Sequence, residues 1–264
     1  MMLKKIAHIA FIIAMAVGMF LLLGFAVESN NNIPCRKFVV NVNKSCGHDF
    51  ISAGELKNKI YRLLDTIEGR AVNNGLLKNI RSIVEGVPYA EDIHIYRTID
   101  GEIRVNVSQR QPILRVINRQ NQSYYVDHEG VLLPMNSNYT ARVKVATGNI
   151  HLPYSPGTNL SKEKKPEEVS ASEKTMRNLY QLASYINEHK FWNAFIDHIT
   201  VLPNGEFELI PKNAVHVIEF GGIDQMEEKF RKLMIFYQNG LTRVGWYHYN
   251  RINVKFSNQV VCSK

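Results

Sequence analysis

The sequence predicts an α+β protein: a single amino-terminal transmembrane helix, then a small β-α-α-β-β domain, then a mainly antiparallel β domain with two helices. Three observations predict it. Residues 6–27 form a run of 22 without charge. Two successive stretches of helical period then lie between stretches of strict alternation. From Gln111 onward, short alternating stretches separated by turn residues dominate.

As a helix, Ile6 to Val27 reaches across a hydrocarbon core of about 30 Å. Lys4 and Lys5 precede it and Glu28 follows, so the positive-inside rule gives a short cytoplasmic tail over 1–5 and sends the chain outward after Glu28. Gly24 and Ala26 also have the spacing of a signal-peptidase site, which keeps a cleaved, secreted form as an alternative. Residues 28–34 read as a linker.

The first domain spans 35–110. Phe38, Val40 and Val42 alternate with polar neighbours as a strand. Ser52 and Glu55 have capping-box spacing ahead of Leu56, Ile60, Leu63, Leu64 and Ile67, which fall on one helical face. Leu76, Ile80, Ile83, Val84 and Val87 repeat that spacing, and Gly86 is expected as a left-handed cap before Pro88. Ile93 and Ile95, an Asp100-Gly101 turn, then Ile103, Val105 and Val107 predict a hairpin.

The second domain spans 111–264. Ile113 to Asn118, Tyr124 to Val126, Val131 to Leu133 and Val143 to Ala146 read as strands. Residues 155–175, rich in Ser, Lys, Glu and Pro, read as a mobile polar insertion. Met176, Leu179, Tyr180, Ala183 and Ile186 mark a helix, and Ile223, Met226, Phe230, Leu233 and Tyr237 a second, with Gly240 as its cap. Between them Phe207 and Leu209 follow an Asn204-Gly205 turn. At the end Ile252, Val254 and Phe256 share one side of a strand, Ser257-Asn258 turn, and Gln259, Val260 and Val261 lead a short last strand to Cys262.

The chemistry is sparse. Nine histidines bring no HxxxH pair with Glu, nucleophile elbow or phosphate-cradling Gly loop, so the sequence predicts no catalytic residues, no metal site and no cofactor. Asp127-His128-Glu129, read as strand, would point its side chains to opposite faces. His94 and His216 read as strand residues, and Trp192, between Phe191 and Phe195, as core. Cys35, Cys46 and Cys262 lack CxxC spacing; a Cys35–Cys46 bridge is one option outside the cytoplasm, with Cys262 unpaired. The net charge of +8 is dispersed, which argues against nucleic acid and is compatible with contact to peptidoglycan.

The order over Cys35 to Ser108 resembles a POTRA domain, a docking module of bacterial envelope proteins. Tyr125-Val126-Asp127-His128-Glu129-Gly130-Val131, placed after Arg110-Gln111-Pro112, resembles the signature of the FtsQ/DivIB family of bacterial cell-division proteins. Gly221-Gly222, Lys229 and Ile252-Asn253-Val254-Lys255-Phe256 resemble its closing segments, although Asn253 and Lys255 stand where Asp and Arg are usual, and Gln259 to Cys262 looks most like Bacteroidetes members. The resemblance implies a non-enzymatic scaffold of the inner membrane and division septum that recruits FtsB/DivIC-like and FtsL-like proteins. It implies strand addition at the carboxy-terminal edge, through Ile252, Val254, Phe256, Ser257, Gln259, Val260 and Val261. A membrane-anchored peptidoglycan hydrolase is the alternative from another class. Asn106-Val107-Ser108 and Asn138-Tyr139-Thr140 keep a secreted glycoprotein as a third.

Overall fold

The computed structural model describes residues 11–21, 34–44, 47, 49–213 and 215–264. Residues 11–21 are helical (α1). Among the described residues no helix is long and apolar enough to cross a membrane. The expected span over 6–27 runs outside the described residues on both sides of α1, as does Cys46 of the expected Cys35–Cys46 bridge. The chain divides into two compact units, Met1–Gln109 and Arg110–Lys264.

In the first unit, strand β1 (Lys37–Asn43), helices α2 (Ala53–Leu64) and α3 (Asn74–Glu85), and strands β2 (Ala90–Arg97) and β3 (Glu102–Gln109) follow in the expected order. The sheet order is β1-β3-β2, with β1 parallel to β3 and β2 antiparallel to it. Leu56, Ile60, Ile80 and Val84 from the helices are buried, as are Phe38, Ile103, Val105 and Val107 from the strands. That is the burial expected of amphipathic helices on one face of a small sheet. Buried Gln109 ties the layers, its Oε1 accepting from the Phe50 and Ile51 N–H groups at 2.7 and 2.9 Å.

Three local expectations differ here. Ser52 stands at the N-cap of α2 but makes no capping bond. Ile67 is buried, yet it lies beyond the helix, which ends at Leu64 ahead of Asp65 at φ 59°, and Leu63 is exposed. Gly86 caps α3 at φ −74°, not in the left-handed region, while Asn73 at the other end accepts from Leu76 N–H at 2.8 Å.

The second unit is built on one nine-stranded sheet in the order β12-β11-β10-β9-β8-β7-β4-β5-β6. Its strands are β4 (Pro112–Ile117), β5 (Ser123–Asp127), β6 (Leu132–Leu133), β7 (Lys144–Gly148), β8 (Ile196–Val201), β9 (Phe207–Pro211), β10 (Val217–Gly221), β11 (Arg251–Asn253) and β12 (Val261–Ser263). The pairs β4–β7, β7–β8 and β10–β11 are parallel and the rest antiparallel. Helices α4 (Ala171–Glu188), α5 (Lys190–Phe195) and α6 (Met226–Phe236) share a core with one face of the sheet. A π-turn over Tyr237–Leu241 and α7 (Thr242–Val244) extend α6, so this unit holds more helix than the two expected segments. Gly148 must be glycine: at φ +102°, a Cβ would stand 2.2 Å from the Val201 carbonyl oxygen.

The polar insertion makes specific contacts with the rest of the unit. Leu160 is buried in the core, Val131 bridges Asn159, and the Arg177 guanidinium donates to the Leu160 and Lys162 carbonyls at 2.7 Å each. Ser170 caps α4 through Glu173 N–H, so the helix starts at Ala171, earlier than its apolar stripe suggests. The expectation of a mobile loop over 155–175 rested on composition. The structure adds contacts that composition does not show, through buried Leu160 and the distant Arg177.

Candidate functional site

The two ends of the large sheet are treated differently. At the β6 end, Leu132 N–H donates to the Thr158 carbonyl at 3.0 Å and Leu160 N–H to the Gly130 carbonyl at 2.8 Å, so the insertion occupies that border. At the other end β12 pairs antiparallel with β11 in the register Arg251↔Ser263, Ile252↔Cys262, Asn253↔Val261. Among the described residues it pairs with β11 alone. Backbone groups on the outer side of such a strand can accept an added strand.

The expected site residues divide by burial. Ile252 and Val254 are fully buried and belong to the core. Phe256 is 48% exposed, because β11 stops at Asn253 and the chain turns through Ser257 and Asn258, the latter at φ 61°. The shared face expected for Ile252, Val254 and Phe256 is thus corrected: Val254 and Phe256 both lie past the strand, and of the two only Val254 stays buried. Ser257 and Gln259 are exposed, Val260 is half-buried against the core, and Val261, 43% exposed, opens β12. The last strand starts at Val261, two residues later than expected. Lys232 of α6 holds the hairpin by donating to the Val254 carbonyl at 3.2 Å and to the Phe256 carbonyl. Beside it a groove of about 510 Å³ runs between Lys232, Ile235, Phe236 and Asn239 on one wall and Gln259 and Val260 on the other.

Behind the edge, the open face of the sheet carries a charge network. Arg251 donates to both Glu208 and Glu219, Asn253 donates to Glu219 at 2.6 Å, and Lys255 reaches Glu206 at 3.2 Å. The carboxylates beside Arg251 raise its pKa, and Glu206 is lowered by the Asn204 hydrogen bond first and by Lys255. Asn253 and Lys255, the departures from the usual residues, are therefore both used.

The signature segment builds a closed turn. Asp127 ends β5 fully buried; its Oδ1 accepts from Glu129 and Val131 N–H at 3.0 and 2.7 Å, and its Oδ2 from Arg110 at 2.7 Å. Burial raises the Asp127 pKa, and the Arg110 and Val131 hydrogen bonds oppose that. Arg110 also donates to Glu129 at 3.0 Å. His128 and Glu129 sit in the turn, not along a strand, so the face-alternation argument does not apply to them. Gly130 (φ +82°) lies where a Cβ would come within 2.9 Å of Ser161 N. Near the end, buried Lys229 donates to the Gly222 carbonyl at 2.9 Å and to Asp224 at 3.2 Å, which links the two closing landmarks, glycine pair and lysine.

A family model, FtsQ/DivIB, C-terminal related, matches residues 111–263. The chain belongs to this family. No curated protein matches the chain. FtsQ/DivIB proteins act in bacterial cell division and are generally non-catalytic, and the match covers the whole nine-stranded sheet, edge hairpin included.

Sequence reasoning missed β8, β10 and the partners of His216. In β8 a register shift between Ile196 and His198 interrupts the alternation. His216 precedes β10 and is buried, with Nε2 2.8 Å from the Tyr237 hydroxyl. His94 is exposed on β2. Trp192 is core against Phe230 at 4.9 Å between ring centres, while its neighbour Phe191 is 43% exposed.

Proposed function

We propose that this FtsQ/DivIB-family protein is a non-catalytic divisome scaffold. Residues 6–27 anchor it in the inner membrane, and residues 28–264 lie outside the cytoplasm at the septum. The first unit is a POTRA-like docking module. The second recruits FtsB/DivIC-like and FtsL-like membrane proteins by strand addition at β12, with Phe256, Ser257, Gln259, Val260 and Val261 at the contact and Ile252 and Val254 as its buried support.

One observation carries this reading. Of the two borders of the large sheet, one is filled by residues 158–160 of the chain itself and the other, β12, pairs on one side only among the described residues. An unprotected edge is an aggregation hazard unless a partner covers it, and the exposed Phe256 and Val261 give a partner strand apolar contacts.

The test is Val260→Pro in the full-length chain. Proline fixes the backbone just ahead of β12 and removes a donor. The variant should keep the wild-type circular dichroism and melting profile, lose co-purification of the FtsB/DivIC-like protein, and leave cells filamentous. A folded variant that still captures its partner at wild-type affinity would sink strand addition at this edge.

A further inference from the structure

His216 is 1% exposed, and its imidazole is held on one side only. Nε2 meets the Tyr237 hydroxyl at 2.8 Å, whereas Nδ1, also buried, has no hydrogen-bond partner among the described residues. Tyr237 opens the π-turn, a rare geometry found mostly at functional positions. Its ring stacks on Trp246 at 5.5 Å, and Trp246 is 40% exposed in the segment that leads into β11.

The backbone beside His216 leads directly to the sheet edge. Val217 N–H donates to the Asn250 carbonyl at 2.9 Å, and Asn250 N–H donates to the Ser263 carbonyl of β12, also at 2.9 Å. The imidazole therefore sits one residue from the first link of a chain joining β10, the start of β11 and the edge strand.

We propose that His216, Tyr237 and Trp246 form a proton-operated latch: neutral His216 holds residues 242–250 and the β11–β12 hairpin in register, and a proton on its ring releases them. The neutral ring brings no charge into this pocket, where Nε2 has the Tyr237 hydroxyl and Nδ1 is already short of a bond among the described residues. The imidazolium has two N–H groups to satisfy and is a buried charge whose partners, the Tyr237 hydroxyl and the Trp246 backbone, bring no counter-charge, which is costly. Among the described residues the groups that act on it are the Tyr237 phenol from the end of α6, the Trp246 backbone and, beyond Tyr237, the Cys262 thiol of β12, none of them a carboxylate. Burial pushes the imidazole below its ordinary 6.5, and the Trp246 backbone opposes this more weakly. A histidine lowered in the folded state gives stability that is present in full above 6.5 and is lost as pH falls below it.

The proposal needs no partner for its test, so it stands or falls separately from strand addition. Hydrogen–deuterium exchange on the detergent-solubilised full chain, corrected for intrinsic rates, compares pH of about 7.5 with about 5.5, the range in which histidine switches work. Protection over 242–264 should fall by as much as about tenfold per pH unit, the limit for one linked proton, while β4 and β5 keep theirs. His216→Gln should remove the response. His198→Gln, which alters another imidazole lowered by burial, should retain it. Unchanged wild-type protection, or a response that survives in His216→Gln, overturns the latch. Should that variant fold poorly, NMR titration of the His216 ring in the wild-type chain decides: a midpoint below 6.5 supports the latch and one at or above it overturns it.

Discussion

The two borders of the nine-stranded sheet differ in who completes them. Next to β6, the Asp127 turn satisfies its own N–H groups, takes Arg110 as a counter-ion, and is bordered by residues 158–160. At β12, a three-residue strand pairs with β11 and stops, with Phe256 and Val261 in the open. The comparison separates two kinds of motif. The Val-Asp-x-x-Gly segment, the most specific part of the family resemblance, is the one whose polar groups the chain saturates internally. The carboxy-terminal hairpin, much weaker as a motif, is the one that leaves a border unfinished. A signature need not mark the working surface; here its chemistry accounts for a turn.

Three substitutions sharpen or break that contrast. Asp127→Ala should have the largest effect, a loss of about 3–5 kcal/mol in urea unfolding, because it removes the fully buried carboxylate that accepts from Glu129 and Val131 N–H and pairs with Arg110. A loss near zero would mean that the turn is not held by this carboxylate, and the contrast would collapse. Gly130→Ala should cost about 1–3 kcal/mol, since the backbone is left-handed there and the added carbon meets Ser161 N at 2.9 Å; thermal melting reads it. Phe256→Ala should change stability by less than about 0.5 kcal/mol, the ordinary range for an exposed site. Its effect should instead appear as weaker co-purification of the partner proposed for this edge. If the melting temperature drops and capture stays intact, Phe256 belongs to the fold and not to the contact.

Much of the fold was legible because its signals are local. The period of Leu76, Ile80 and Val84, the alternation of Ile103, Val105 and Val107, and the Asn204-Gly205 and Ser257-Asn258 turns each depend on near neighbours, and each falls where the pattern puts it. The misreadings involve distant partners. The contacts of residues 155–175 with Arg177 and Val131 are likewise invisible in composition. Phe256 looks like a third inward residue until the chain is seen to leave the strand at Asn253 and turn at Ser257-Asn258, with Val254 the last residue to stay buried. His216 looks like one more strand histidine until Tyr237, over a full helix away in sequence, closes on it. The candidate edge could be placed from sequence at the chain's last strand. What could not be read is that the opposite border is filled, because that depends on where the insertion packs.

Lys232 gives the open hairpin a further property. Its ammonium group spans the carbonyls of Val254 and Phe256, so the bend before the last strand is fixed from α6 before any encounter takes place. Ordering flexible segments at an interface normally subtracts from binding free energy, and a surface already in its bound shape avoids that loss. A lysine on the helix behind the hairpin would then act as a device of preorganisation, lengthening the lifetime of a complex whose partner it need never touch.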